Sequence, residues 1–168
     1  QTVSNAVTVT VGDDGQVCVS TSATTHVVID VNGAYSDDHG AGLLVPMPPS
    51  RHLDTRSSDR VAAGEVLVVA VAGRGDVPAD ATAVIADVTV VGPATDGYAT
   101  VFPCGGSVPF AANVNFTAGS TTSNSVVAGV GLGGAICVYS TAETDVVVDV
   151  SAAFSPADGT GTILPVTP

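Results

Sequence analysis

An internal repeat constrains this chain more than any other feature of its sequence. Residues 2–49 align without gaps on residues 121–168 at a constant offset of 119, with 21 identities in 48 positions. An ungapped match of this length indicates two copies of one structural unit rather than a chance similarity. We therefore expect both copies to favour the same local structure.

The repeat divides the chain unevenly. It predicts that residues 1–39 are the C-terminal segment of a preceding repeat or a strand-exchanging segment, that 40–159 form one full repeat, and that 160–168 begin the next repeat or a linker. The simplest interpretation is a piece of a longer tandem array. The alternative is a subunit whose terminal segments complete neighbouring copies by β-strand addition. In both cases residues 1–39 need partners for their backbone groups.

Short apolar runs separated by turn residues predict an all-β fold. Val, Thr and Ile suit strands, and Gly (19 residues) and Pro (10 residues) interrupt the chain at intervals typical of many short strands. We predict an antiparallel β-sandwich or a barrel-like repeat domain. A weaker sequence similarity between 81–88 and 143–150 is consistent with a pseudo-symmetric arrangement. Strands are predicted at 3–11, 16–22, 26–35, 42–46, 65–72, 82–91, 98–102, 112–117, 122–130, 135–141 and 145–154.

The charge balance argues against two classes of partner. Lys plus Arg number 4 against 16 Asp plus Glu, which gives a net charge of −12. A surface this acidic repels phosphate backbones, so no nucleic-acid partner is expected. The chain has no apolar run long enough for a membrane-spanning helix, so membrane insertion is not expected either.

The three cysteines predict one disulfide. Cys137 lies on the predicted strand 135–141, Cys104 follows the predicted strand 98–102 of the same repeat, and Cys18 is the repeat equivalent of Cys137. The rival interpretations are a reduced buried thiol and a metal site, although the C-x-x-C spacing typical of metal sites is absent. We interpret Cys104 and Cys137 as a disulfide. Cys18 is then an inter-repeat or inter-subunit thiol whose partner the sequence leaves open.

A buried ion pair is the second structural prediction. Asp149 lies inside an apolar run, where an unpaired carboxylate is costly. The densest polar cluster of the chain, residues 51–56, contains two arginines able to bind that carboxylate through charge-assisted hydrogen bonds. We predict a structural ion pair between Arg56 and Asp149.

The sequence offers no convincing catalytic or metal-binding constellation. His52 and Asp54 would share a strand face, but no nucleophile accompanies them and no Gly-x-Ser-x-Gly motif occurs. The other two histidines correspond to aspartates in the second copy. The pairs Asp13-Asp14 and Asp37-Asp38 suggest calcium, yet a repeat-wide calcium site should keep its carboxylates and the second copy lacks them. We therefore predict no enzyme activity, no cofactor and no metal.

Several short motifs carry a resemblance to a known family. They are Arg51-His52-Leu53-Asp54-Thr55-Arg56, Val71-Ala72-Gly73, Val77-Pro78, Ala81-Thr82-Ala83-Val84, Gly97-Tyr98-Ala99-Thr100-Val101-Phe102-Pro103-Cys104, Asn113-Val114-Asn115-Phe116 and Cys137-Val138-Tyr139-Ser140. Together they resemble a tandem all-β repeat domain of large secreted and cell-surface actinobacterial proteins. The resemblance covers essentially the whole chain and implies an extracellular, modular context, with no established activity to transfer.

These features together predict a non-catalytic structural or adhesive module, extracellular or at the cell surface. We expect it to associate with neighbouring copies or repeats, within a tandem-repeat surface protein or a head-to-tail filament. The alternative is a carbohydrate-binding module of a secreted cell-wall-active protein, with a glycan as partner. The chain has no Trp, three Tyr and four Phe, few of the aromatic rings on which sugars usually stack.

Overall fold

The computed structural model of the protein describes residues 4–7, 9, 11–31, 33–34 and 42–156, and the backbone of 164–165. The described part contains no α-helix, and two 3-10 turns, Thr55–Ser57 and Leu132–Gly134, lie between strands. Its ten strands are β1 (Gly33–Ala34), β2 (Leu43–Asp54), β3 (Val66–Ala70), β4 (Ala83–Val91), β5 (Gly97–Pro103), β6 (Val114–Phe116), β7 (Thr121–Gly129), β8 (Ala135–Ser140), β9 (Asp145–Ser155) and β10 (Leu164–Pro165).

Eight of these strands build two four-stranded antiparallel sheets. The first sheet has the strand order β2-β9-β4-β7, and the second has the order β3-β8-β5-β6. The two sheets pack together as a β-sandwich, which confirms the predicted fold class. Strands β8 and β9 lie inside their sheets and pair with neighbours on both sides.

The core follows from the alternation of side chains along each strand. Val146, Val148 and Val150 of β9 are fully buried between the sheets, whereas Asp149 points to the outer face. Ile136 and Val138 of β8 are also fully buried, on the opposite side of the same core. This period of two is the pattern of a strand with one face against a core.

The strand predictions are confirmed for the part of the chain that forms the sandwich, although β3 and β6 are shorter than the predicted 65–72 and 112–117. Strand β2 extends to Asp54, well beyond the predicted 42–46, despite three prolines. It tolerates them because it is an edge strand and its pairing with β9 shifts register between Pro46 and Ser50.

The predictions of strands at 3–11, 16–22 and 26–35 are not confirmed. Within the described residues of these ranges, strand pairing is confined to Gly33–Ala34. A strand needs a partner backbone. The places that these sequences would take in the sandwich are occupied by their repeat equivalents in β7, β8 and β9.

Candidate functional site

The N-terminal segment, defined as the described residues of 4–34, carries a row of exposed apolar side chains. Nine of its Val and Ile residues are between 44% and 86% exposed. They are Val7, Val9, Val11, Val17, Val19, Val27, Val28, Ile29 and Val31. Apolar exposure on this scale typically marks an interaction surface.

The same positions are buried in the second copy. Eight of the nine repeat equivalents are at most 4% exposed, and the ninth, Val130, is partly buried. The eight are Val126, Ala128, Ile136, Val138, Val146, Val147, Val148 and Val150. The N-terminal segment therefore has the same pattern of apolar residues as β7, β8 and β9, but its apolar side chains are not packed in a core.

The segment also keeps a local turn of the second copy. Gly15 has a φ of +78°, and its repeat equivalent Gly134 has a φ of +69°. This left-handed conformation favours glycine. The N–H of Gly15 donates to the carbonyl of Gly12 at 2.9 Å, and the Asp14 carboxylate accepts from the N–H of Gln16 at 3.2 Å. The turn forms without a neighbouring sheet, because its hydrogen bonds are local.

The two ends of the chain reproduce one strand pairing of the sandwich. In β2 and β9, Val45 pairs with Ala153 and Pro46 with Ala152. In β1 and β10, Leu164 pairs with Ala34 and Pro165 with Gly33. Leu164 and Pro165 are the repeat equivalents of Val45 and Pro46, and Ala34 and Gly33 are those of Ala153 and Ala152. The N-terminal segment thus retains the pairing register of β9.

The start of the segment contacts the sandwich at an edge strand. The Ser4 hydroxyl donates to the carbonyl of Asn113 at 3.1 Å and accepts from the N–H of Asn115 at 3.2 Å. Asn115 lies in β6, at the edge of the second sheet. The Asn113 side chain, which is buried, accepts from the N–H of Val101 at 2.7 Å.

The cysteines divide as the sequence suggests. Cys104 and Cys137 form a disulfide with a Cα–Cα distance of 5.0 Å, and both are buried. The bond closes a loop with a sequence separation of 33 residues and ties β8 to the end of β5. Cys18 is a free, exposed thiol. Its position in the N-terminal segment matches that of Cys137 in β8.

The partner of Asp149 differs from the prediction. Arg51, not Arg56, binds its carboxylate, with Nε to Oδ1 at 2.5 Å and an Nη to Oδ2 at 3.1 Å. Arg56 is paired with Asp54 at 2.6 Å. The ion pair is also half-exposed on the outer sheet face rather than buried, because Asp149 alternates with the core-facing valines of β9.

Arg51 joins carboxylates from two strands. Besides Asp149 of β9 it binds Asp54 of β2 at 2.7 Å. Asp149 also lies directly opposite Asp87 of β4, an unfavourable pairing of like charges. Arg51 therefore offsets a local excess of negative charge on this face.

We expect Arg51→Ala to lower the melting temperature more than Arg56→Ala, because only the first leaves Asp149 opposite Asp87 without its bound cation. Thermal denaturation followed by circular dichroism measures the difference. Arg74→Ala, in an exposed turn, removes the same charge elsewhere and serves as the control. Equal melting temperatures for the Arg51 and Arg74 variants would contradict this role.

The Asp54 carboxylate begins the turn at Thr55–Ser57. It accepts the Arg56 backbone N–H at 3.2 Å and two guanidinium hydrogen bonds from Arg56 at 2.8 and 2.6 Å. The Arg56 guanidinium is the main reason that the pKa of Asp54 lies well below its ordinary value, and Arg51 acts in the same direction.

Asp54→Asn is expected to destabilise the protein slightly at neutral pH and less in acid. The lowered pKa of Asp54 means that the stabilisation is complete above the ordinary aspartate value, about 3.9, and is lost as the pH falls through the folded-state value. Melting temperatures of both proteins between neutral pH and strong acid test this. A difference that grows as the pH falls would contradict the assignment.

A third arginine holds the start of β9. Arg60 binds Glu143 through Nε at 3.2 Å and Asp145 through an Nη at 3.4 Å, and also donates to the carbonyl of Gly92 at 2.6 Å. Asp145 accepts from the hydroxyl of Thr55 at 3.2 Å, and that buried hydroxyl accepts from the N–H of Val146 at 2.9 Å. This network anchors β9 against the end of β2.

The His52 side chain contacts Ser50 and Ala70, and both contacts are structural. Its Nε2 lies 3.2 Å from the hydroxyl of Ser50, and its Nδ1 lies 3.3 Å from the carbonyl oxygen of Ala70. The contact with Ala70 connects edge strand β2 of one sheet to edge strand β3 of the other, whereas Ser50 lies in β2 itself. Among the described residues, no group of three or more His, Cys, Asp or Glu is placed to hold a metal ion. Asp37-Asp38 lies outside the described residues.

The outer face of the first sheet also carries an open polar groove of about 230 Å³. Its lining includes Arg51, Arg56, Thr89, Thr121 and Asp149. The guanidinium and hydroxyl groups of this lining can donate hydrogen bonds to a polar ligand, while its carboxylate can accept them.

Sequence reasoning missed Thr55, Arg60 and Asn113. Each acts through a backbone group or a residue distant in sequence, so no local pattern points to it. The difference between Asp145 and its repeat equivalent His26 was a usable signal for Arg60, because an altered charge implies an altered partner.

No family model, curated protein or solved structure matches this chain. Over the described residues, no helix has the length and apolar character required to cross a membrane.

Proposed function

We propose that the protein is a non-catalytic structural module that joins copies of its own repeat, in a head-to-tail assembly or within a longer array. One observation carries this proposal. The N-terminal segment has the core-facing apolar pattern of three sandwich strands, yet its apolar side chains are exposed. The segment matches a β-sheet of this repeat better than any unrelated surface, because it repeats the sequence of strands that complete such a sheet.

The register of β1 and β10 supports the same conclusion. The C-terminal end pairs with the N-terminal segment as β2 pairs with β9 inside the sandwich. Both ends therefore have the pairing preferences of a flanking repeat. Contacts of this head-to-tail kind propagate along one axis unless they close into a ring. The resemblance to modules of secreted and surface proteins favours an extracellular setting, in which the disulfide would persist.

Sedimentation velocity over a range of protein concentrations tests the proposal. We expect the sedimentation coefficient to rise with concentration, and Ile29→Glu to abolish the rise by placing a charge within the apolar row. Ser20→Glu is the matched control, because it adds the same charge to the segment at an exposed position outside the apolar row. A wild-type chain that sediments as a monomer at every concentration would overturn the proposal.

A carbohydrate-binding role is the second candidate, and the polar groove favours it. Arginine and threonine side chains lining one sheet face offer hydrogen-bond donors and acceptors to sugar hydroxyls. A glycan array tests it, with Thr89→Ile as a variant that fills the groove. Binding that the variant loses would support this candidate, whereas absence of binding to any glycan would remove it.

A further inference from the structure

The chain contains two segments with the sequence of the same three strands, but one set of strands that can accept them. Residues 121–155 fill the acceptor, which consists of β2 to β6. The N-terminal segment also reaches this acceptor by connectivity. If its residues 26–36 took the register of β9, Ser36 would pair with Leu43, as Ser155 does. Six residues, 37–42, would then connect the two strands as an ordinary β-hairpin.

Most of the buried apolar positions are similar in both copies, with exceptions at Ala135, Ala152 and Phe154, which correspond to Gln16, Gly33 and Tyr35. The charged residues that face Arg60 differ. Residues 121–155 present Glu143 and Asp145 to this arginine, whereas the N-terminal segment has Thr24 and His26 at the equivalent positions. With the N-terminal segment in place, Arg60 would lose both carboxylates.

The consequence is largest at Asp145. Its side chain is only 15% exposed; it forms an ion pair with Arg60 and accepts a hydrogen bond from the buried Thr55 hydroxyl. A histidine there offers no carboxylate, and its protonated form would repel Arg60. Groups left without a partner at a partly buried position cost more than an exposed ion pair contributes.

We propose that the two segments compete for one place in the sandwich, and that Arg60 assigns it to residues 121–155 through Asp145 and Glu143. This leaves the N-terminal segment outside the sandwich and available to contact a second copy of the chain. The last step rests on the proposed function, whereas the competition itself is a property of the single chain.

Cys104 reports which segment occupies the acceptor. With residues 121–155 in place it bonds to Cys137. With the N-terminal segment in the same register, Cys18 would take the position of Cys137 and bond to Cys104. The experiment refolds the full chain in a buffer of reduced and oxidised glutathione, in which glutathione disulfide is the oxidant. Proteolysis and mass spectrometry under non-reducing conditions then identify the partner of Cys104.

The decisive variant moves the partners of Arg60 from one segment to the other, as Thr24→Glu, His26→Asp, Glu143→Thr and Asp145→His together. We expect the ratio of Cys18–Cys104 to Cys104–Cys137 bonds to rise at least about tenfold over wild type, equivalent to roughly 1.4 kcal/mol. The double variant Thr24→Glu/His26→Asp keeps the native segment intact, so its folding is not at risk, and a smaller rise is expected. Ser20→Glu/Ser22→Asp adds the same charge out of register and should leave the ratio unchanged.

An unchanged ratio in both the four-residue and the double variant would overturn the competition, and so would an equal rise in the Ser20/Ser22 control. The result is independent of the proposed function. A rise in intramolecular Cys18–Cys104 bonds, together with a wild-type chain that remains monomeric, would retain the competition and reject the assembly. Concentration-dependent association with an unchanged ratio would do the opposite.

Discussion

Replacing Cys104 and Cys137 together by Ala is expected to lower the free energy of unfolding by about 3–4 kcal/mol. The disulfide closes a loop with a separation of 33 residues, and its loss restores that loop's entropy to the unfolded chain. Urea denaturation of both proteins measures the change. The loss is large relative to the total stability of a typical domain, about 5–15 kcal/mol.

Cys18→Ala provides the control for this variant. Cys18 is free and exposed, so its replacement should leave the midpoint of denaturation unchanged. A double variant as stable as the Cys18 variant would contradict a stabilising role of the disulfide.

The second large effect contrasts two positions that the repeat makes equivalent. Val148→Glu buries a carboxylate at a fully buried core position and should abolish cooperative folding, because an unpaired buried charge costs several kcal/mol. Ile29→Glu places the same side chain at the equivalent position of the N-terminal segment, where Ile29 is 60% exposed. It should leave the melting temperature of the sandwich unchanged.

Circular dichroism during heating distinguishes the two variants at low protein concentration, where association does not contribute. Similar destabilisation by both would mean that the N-terminal segment is part of the folded core. That result would contradict the conclusion that the sandwich is complete without the N-terminal segment.

The sandwich could be predicted from the sequence because its signals are local. The alternating valines of 146–150 specify a strand with one buried face. Glycine-containing turns mark the ends of other strands, for example between β7 and β8. The N-terminal segment could not be predicted in the same way. Val27 and Ile29 have the same alternation, but a strand also requires a partner backbone. Contacts between residues distant in sequence determine whether the N-terminal segment or residues 121–155 pair with β2 to β6.

The partners in the ion pairs could likewise be predicted only in part from the sequence. The sequence indicated that Asp149 needs an arginine from 51–56, since a carboxylate in an apolar run requires a partner. It did not specify Arg51 over Arg56, because the irregular register between Arg51 and Leu53 decides which side chain reaches β9. A β-bulge of this kind changes the direction of side chains without a distinctive sequence signal.

Amide hydrogen exchange of the N-terminal segment tests the central claim most directly. In dilute protein, the backbone N–H groups of residues 16–31 should exchange rapidly, because the described residues in this range form no strand. At high concentration they should become protected as the segment pairs with a second copy, while β8 and β9 remain protected throughout. Rapid exchange of residues 16–31 at every concentration would contradict the account, and so would protection that is already complete in dilute protein.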